Sequence, residues 1–342
     1  MATAASYPPI FDGHNDTILS LTRTGRSFFE RSSEGHIDLP RAVEGHLGGG
    51  FYAMYVPPAQ SADPPQVPPG PDLGPAQNQL LTIFGRLLEI AQASNERVKV
   101  VRTAAEIQGC LDHGTHAMLL HLEGAEPLDP DGHALEVYHA AGLRSVGLTH
   151  ARRNAFATGV PTRTFPSAPD IGPGLTDAGR ALVRRLNARK VMIDLSHINE
   201  RGFWDVAAIT DAPLVATHSN AHARCQNPRN LTDRQLDAVR DSRGVVGLNF
   251  AIGFLREDGA RNPDTPIAVM AEHIDYMVER MGIDCVALGS DFDGTTVPAE
   301  LKDAAGLPKL VAAIRACGHT DGDLKKLLHG NWIRVLRETW GE

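Results

Sequence analysis

"KVMIDLSHINERGFWDVAAITDAPLVATHS" occupies residues 190–219. Its two ends, "KVMIDLSH" (190–197) and "PLVATHS" (213–219), are short apolar runs. Its middle, "NERGFWDVAAI" (199–209), carries apolar residues at helical spacing. Near-continuous apolar character over so few residues suits a strand buried on both faces, so the stretch reads as strand, helix, strand. Each run carries a histidine at or next to its end. His197 and His218 are 21 residues apart, one step of a β/α repeat, which puts both imidazoles at one height on neighbouring strands.

The same unit recurs in both directions. Apolar runs occur at 8–16 ("PPIFDGHND"), 51–56, 116–124, 143–150, 190–197, 213–219, 244–250 and 285–294. Helical patterns fill most of the gaps, at 78–94, 176–190, 199–209, 232–242 and 266–282. Thr176 suits a helix N-cap, Pro266 a first helical turn and Gly282 a stop. Strand then helix, eight times over, predicts an α/β fold, a (β/α)8 TIM barrel. Residues 1–342 read as a single barrel catalytic domain. The segment 320–340 supplies one or two closing helices, and "VPPAQSADPPQVPPGPDLGP" (56–75) forms a long Pro-rich loop on the C-terminal face. The cluster "GHLGGGF" (45–51) is no dinucleotide fingerprint; it is expected to let the chain turn tightly into the second strand.

The formal net charge is -8 with no long basic run, which argues against nucleic acid or an anionic membrane as partner. No apolar run reaches 18 residues, so no membrane-spanning helix is expected. "MATAASYPPI" lacks the charged and apolar regions of a signal peptide. The scattered Cys110, Cys225, Cys285 and Cys317 read as reduced thiols of a cytoplasmic protein. The sequons at Asn15 and Asn230 are then chance matches.

Function in such barrels sits at the C-terminal ends of the strands. The first run ends in His14 and Asp16, the third in Glu123, the fourth in His150, the fifth in His197, the sixth in His218, and the eighth in Asp291 and Asp293. His14 and Asp16, two apart, point the same way on an extended chain. Each histidine alone is more often structural. Together they offer five N/O ligands, with Glu123 able to bridge two ions, which suits paired Zn2+, with Mn2+ or Co2+ as substitutes. The bland alternative is a set of hydrogen-bonding groups lining a polar barrel mouth. Arg152 and Arg153 follow His150 directly; a solvated pair is the favoured reading, and contact with an acidic substrate side chain the other.

"DGHND", "LEGAE", "LTHARRN", "IDLSH", "THSNAHA", "NPRN" and "GSDFDG" occur in an order and spacing that resembles the membrane (renal) dipeptidase family, binuclear zinc peptidases of the amidohydrolase-like barrel type. The resemblance runs from about residue 10 to residue 335. It implies that His14 and Asp16 hold one zinc and His197 and His218 the other, with Glu123 bridging. It implies further that His150 faces the scissile carbonyl, Arg229 holds the terminal carboxylate of a small-molecule dipeptide, and Asp291 handles the proton. Asp293 is given a supporting or turn role. The expected activity is hydrolysis of free dipeptides, including L,D-dipeptides, by a hydroxide bridging the zincs. One zinc ion already lowers the pKa of its water to about 7. A guanidinium clamp beside the metals leaves room for one residue beyond the scissile bond. A homodimer is suggested by the resemblance alone.

Two features depart from the family pattern. The bridging glutamate is followed by "GAE" rather than "GGH", which puts Glu126 at a pocket wall. The Pro-rich loop is not a family hallmark. Two other readings stand beside the dipeptidase: another binuclear metal amidohydrolase acting on a lactone, cyclic amide or phosphoester, and a non-catalytic binding protein with a degenerate site. A phosphoester enzyme should gather basic residues at the rim, and the sequence displays no such cluster.

Overall fold

Among the described residues nine strands are laid down in chain order: β1 (Ile10–Asn15), β2 (Leu47–Tyr55), β3 (Val98–Val101), β4 (His116–Glu123), β5 (Ser145–Gly147), β6 (Met192–Asp194), β7 (Val215–Ala216), β8 (Val245–Leu248) and β9 (Val286–Leu288). They belong to a computed structural model that describes residues 7–57 and 72–342. All pairings between these strands are parallel, in the order β1-β2-β4-β5-β6-β7-β8-β9. The ring closes from β9 back to β1. Asn15 bridges to Phe292, the Asp16 N–H donates to the Phe292 carbonyl at 2.8 Å, and the Asp291 N–H donates to the His14 carbonyl at 2.9 Å. The Asp12 carboxylate reinforces the seam, accepting from the Ser290 N–H and hydroxyl, both at 2.7 Å. Helices cover the outside, and the fold is the expected (β/α)8 barrel.

The eight apolar runs are the eight barrel strands. β3 is the ninth and was not expected: "VKVV" pairs with β4 outside the ring. Helices at Thr17–Thr24, Leu39–Glu44, Ala104–His113, His133–Ala141 and Leu307–Ala316 were also not read from the sequence. They are short or only weakly patterned. The helix Asp177–Ala188 does begin at Thr176, whose side chain accepts from the Gly179 N–H at 3.0 Å. Pro266 sits one position earlier than expected, just ahead of Ile267–Met281, and Gly282 ends that helix at φ 84°.

The glycine cluster behaves differently from its expectation. Residues 48–50 lie inside β2 rather than in a turn. A Cβ on Gly49 would stand 2.3 Å from the Ala117 carbonyl oxygen, and the residue itself is at φ 154°. These glycines let β2 press closely between its neighbours, a reason for glycine within a strand. Of the Pro-rich loop expected at 56–75, residues 58–71 lie outside the described residues. Its last positions, Leu73–Pro75, already belong to the helix Leu73–Ala93.

The barrel interior is filled from below. Phe11, Phe51, Met192, Val215, Val245 and Ala287 are fully buried and pack around Trp332. That tryptophan comes from the closing helix Asn331–Trp340, and its indole N–H donates to the Leu288 carbonyl at 3.0 Å. Gly13 in β1 makes room: a Cβ there would meet Trp332 at 2.4 Å. Above this floor lies His121, edge-on to the Phe51 ring at 6.1 Å and to the His14 ring at 5.3 Å. The polar chemistry begins at that level.

Candidate active site

Glu123 ends β4, and its Oε1 is the meeting point of the site. It lies 3.0 Å from His197 Nε2, 3.5 Å from His218 Nε2 and 3.7 Å from His14 Nε2. His14 Nε2 is in turn 3.6 Å from Asp16 Oδ2, and the two nitrogens of His197 and His218 are 3.1 Å apart. All five residues are buried, none more than 6 % exposed. Each stands within a few residues of a strand end. Two groups needed unusual backbone to get there: His197 has φ 67° and Asp291 φ 57°. A non-glycine residue in that region costs about 1–3 kcal/mol. Val160 N–H donating to the His197 carbonyl at 2.8 Å, and Gly294 N–H to that of Asp291 at 3.1 Å, hold them in place.

These residues fit a pair of metal ions. Two nitrogen ligands at about 2.0–2.1 Å from a tetrahedral ion stand about 3.3 Å apart, close to the separations among Glu123 Oε1, His197 Nε2 and His218 Nε2. Both ring nitrogens of His14, though buried, lack a hydrogen-bond partner. Burial, and then nearby positive groups, hold His150, His197 and His218 well below the usual imidazole range, so each keeps a free lone pair. Burial pushes Glu123 well above the carboxylate range, and burial with the negative charge of Asp16 pushes Asp291 up to about 6. His14 goes the other way. Burial opposes its charge, but Glu123, Asp16 and Asp291 outweigh burial and lift it to about 10. Carboxylates this crowded call for cationic charge beside them. Among the described residues, ligand atoms also cluster as Glu123–His150–His197 and as His14–Asp16–Asp291.

A cavity of about 450 Å3 opens over these groups, lined by Asp16, Tyr55, Glu123, His150, His197 and Asp291. His150 stacks between Tyr55 at 4.2 Å and His197 at 4.3 Å, ring to ring. Asn249 Nδ2 donates to Asp291 Oδ2 at 3.0 Å. Tyr55 and Asn249 lie at the ends of the second and seventh apolar runs, the two that supply none of the expected site residues. The strand-end rule applied to all eight would have found them.

Arg229 is 2 % exposed. It donates to the His218 carbonyl at 3.0 Å and the Ser219 hydroxyl at 3.4 Å, lies over the Phe254 ring at 5.6 Å, and leaves its Nε unpartnered. Phe254 lines the cavity, whereas Arg229 is not among the lining residues and meets it only across that ring. Asp293 is turned to structure: its carboxylate takes Arg26 at 2.9 Å and the His36 N–H at 2.7 Å. Arg152 differs from both readings given to it. It is buried, bound to Glu126 at 2.7 Å, the Tyr55 hydroxyl at 2.7 Å and the Val56 carbonyl at 2.6 Å. Glu126 and Arg152 together brace the wall that carries Tyr55. The rim also holds what the sequence did not display: Arg23, Arg163 and Arg261, all exposed, line the same cavity.

Comparison with known proteins gives the family. Residues 4–340 match the family model of the membrane dipeptidases, peptidase family M19. The chain belongs to that family. Its members are zinc-dependent metallodipeptidases, and this chain is a hydrolase of that kind. The crystal structure of the dipeptidase AC, a metallopeptidase of family M19, superposes with a TM-score of 0.95 at 48 % identity, covering 98 % of this chain and 100 % of that one. A metallopeptidase from Rhodobacter sphaeroides, liganded with a phosphinate mimic of the dipeptide L-Ala-D-Ala, superposes at 0.94 with 46 % identity and the same coverage. An uncharacterized protein in the pqqA 5′ region of Klebsiella pneumoniae is 51 % identical over 254 residues, 74 % of this chain and 93 % of that one. No helix among the described residues of this M19 dipeptidase is long and apolar enough to cross a membrane.

Proposed function

We propose that this dipeptidase acts on free dipeptides, including those with a D-residue in the C-terminal position, through two metal ions held by His14, Asp16, Glu123, His197 and His218. The observation that carries the reading is the convergence of three imidazole nitrogens on Glu123 Oε1 within 3.7 Å. His14 and Asp16 would hold one ion, His197 and His218 the other, with Glu123 shared. The borderline N/O donor set favours zinc, with Mn2+ or Co2+ as substitutes. A dipeptide mimic bound to the R. sphaeroides relative supports the L,D-substrate. The chemistry supplied by the ion pair is ionisation of water at neutral pH and polarisation of the scissile carbonyl.

The protein's own groups do the rest. Asp291 accepts the proton of the attacking water on its carboxylate and delivers it to the leaving amine nitrogen. Asn249 fixes which oxygen is free to do so. His150, kept neutral by burial and locked between two rings, presents an N–H to the oxygen on which charge develops. Arg229, buried with no carboxylate partner among the described residues, takes the α-carboxylate of the substrate and limits it to one residue past the scissile bond. Residues 1–342 are read as one catalytic unit. Free cysteines support a cytoplasmic setting, and the family resemblance supports a homodimer.

Metal analysis alongside hydrolysis of L,L- and L,D-dipeptides tests this reading. About two zinc ions per chain with turnover of both series, lost on chelation, is expected. Full activity with one ion, or preference for a lactone or phosphoester, would overturn it.

A further inference from the structure

The three rim arginines are unexplained by hydrolysis of a neutral dipeptide. Arg23 comes from the last turn of the helix Thr17–Thr24, Arg163 from the segment after β5 and Arg261 from the segment after β8. They are far apart in sequence and meet only at the cavity. Among the described residues none of the three forms an ion pair, although most other arginines do, as Arg26, Arg41, Arg152 and Arg280 illustrate. Asp293, a carboxylate that lines the same cavity, is committed to Arg26 and the His36 N–H.

We propose that Arg163 and Arg261, with Arg23 opposite, form a subsite for the side-chain carboxylate of an acidic C-terminal residue, so that dipeptides ending in aspartate or glutamate are the preferred substrates. Position along the substrate follows from Phe254. The guanidinium of Arg229 lies 5.6 Å from that ring and the guanidinium of Arg261 lies 6.0 Å from it. The two guanidiniums flank one ring, which puts Arg261 within reach of the side chain of a residue whose α-carboxylate is held at Arg229. Arg261 is also pre-positioned, since its Nη2 donates to the Thr162 carbonyl at 2.6 Å. This donation ties the Arg261 segment to the one that carries Arg163. Burial and the charge of Arg163 both hold Arg261 below its ordinary range, with no carboxylate acting against them. Two like charges facing one cavity without a counter-ion are stabilised by an anion placed between them, and a guanidinium binds a carboxylate through paired N–H groups.

The inference rests on the dipeptidase reading and fails separately from it. The metal-loaded enzyme is assayed on L-Ala-D-Glu, L-Ala-D-Gln, L-Ala-D-Ala and the C-terminal amide of L-Ala-D-Glu, with the L,L series in parallel. The expected result is kcat/KM for the glutamate peptide at least about tenfold above its glutamine isostere, falling toward equality in 1 M salt. In the Arg163→Gln and Arg261→Gln variants the ratio of acid to isostere falls toward one, mainly through KM. Equal rates on glutamate and glutamine peptides in the native enzyme overturn the subsite, while turnover of L-Ala-D-Ala leaves the dipeptidase reading standing. No turnover of any peptide overturns both. Variants that lose discrimination between free acid and C-terminal amide, rather than between side chains, would reassign these arginines to the α-carboxylate and overturn the subsite. Arg23→Gln is a second check at an exposed position, expected to weaken the preference less than either of the others.

Discussion

The Nδ1 of His218 lies 2.7 Å from the hydroxyl of Thr217, and that hydroxyl donates to Asp194 at 2.6 Å. Its single proton is thus spent on the carboxylate, so the oxygen accepts from Nδ1–H. The tautomer of His218 follows: Nε2 carries a lone pair aimed at Glu123 and His197. Asp194 is held by two further donors, the N–H groups of Ser196 at 2.9 Å and Thr217 at 2.8 Å.

Partners of this kind typically change metal affinity by about 10–100-fold. Thr217→Val keeps the shape and removes the hydroxyl. It is expected to weaken one metal site by that factor in a chelator competition, with little change in the other. Unaltered affinity would show that the tautomer is set by something else.

Asp291→Asn should retain both metals and lose about 10²–10⁴ in kcat, the usual contribution of a positioned proton carrier. Metal content by mass spectrometry and kcat on one dipeptide are the two readouts. A loss of metal in step with activity would move Asp291 from proton carrier to ligand.

Arg229→Ala should raise KM for free dipeptides far more than for their C-terminal amides, because only the former offer a carboxylate to a guanidinium. Equal effects on both would count against the clamp.

Two histidines away from the candidate metal ligands set an acid limit. His116 and His273 are 3 % and 0 % exposed, and burial lowers each to about 4. His116 Nε2 sits 2.5 Å from the Tyr52 hydroxyl, and His273 Nε2 donates to the Leu255 carbonyl at 2.8 Å. A folded-state pKa below the unfolded value near 6.5 means that the neutral form favours folding. That stability is complete above pH 6.5 and is lost as pH falls from there through about 4. The loss is about 3 kcal/mol per residue. Urea denaturation across this range should show it, with a shallower slope in His273→Gln. An unchanged slope in the variant would assign the acid sensitivity to other groups.

Trp332→Ala should cost about 3–5 kcal/mol, as for other large aromatic deletions from a core. Thermal unfolding of the variant against the parent measures it. A change under 1 kcal/mol would mean that the barrel floor collapses to fill the space.

The sequence carried the barrel and the ligand candidates for one reason. Strands buried on both faces are written as uninterrupted apolar runs, and the donors follow at their ends, so "IDLSH" and "ATHS" display fold and chemistry together. β3 escaped because four residues, one of them Lys99, with their outer face half covered carry too little signal. The Gly48–Gly50 stretch was misread because a glycine needed for close approach looks the same, in sequence, as one needed for a turn. Arg152 was misjudged for a third reason. Its partners Tyr55, Val56 and Glu126 belong to other strand ends, and nothing local marks a buried guanidinium. The rim arginines were invisible on the same ground: Arg23, Arg163 and Arg261 become neighbours only when the barrel closes.

The indole that floors the barrel is contributed by the final helix. During synthesis, the earlier strands can pair as they emerge, but the cavity beneath His121 stays unfilled until residue 332 leaves the ribosome. His14, mounted on the strand that Gly13 presses against that indole, cannot settle before then. Assembly of the ligand cluster is therefore tied to docking of the helix Asn331–Trp340, and a chain that lacks this helix should acquire neither ions nor activity.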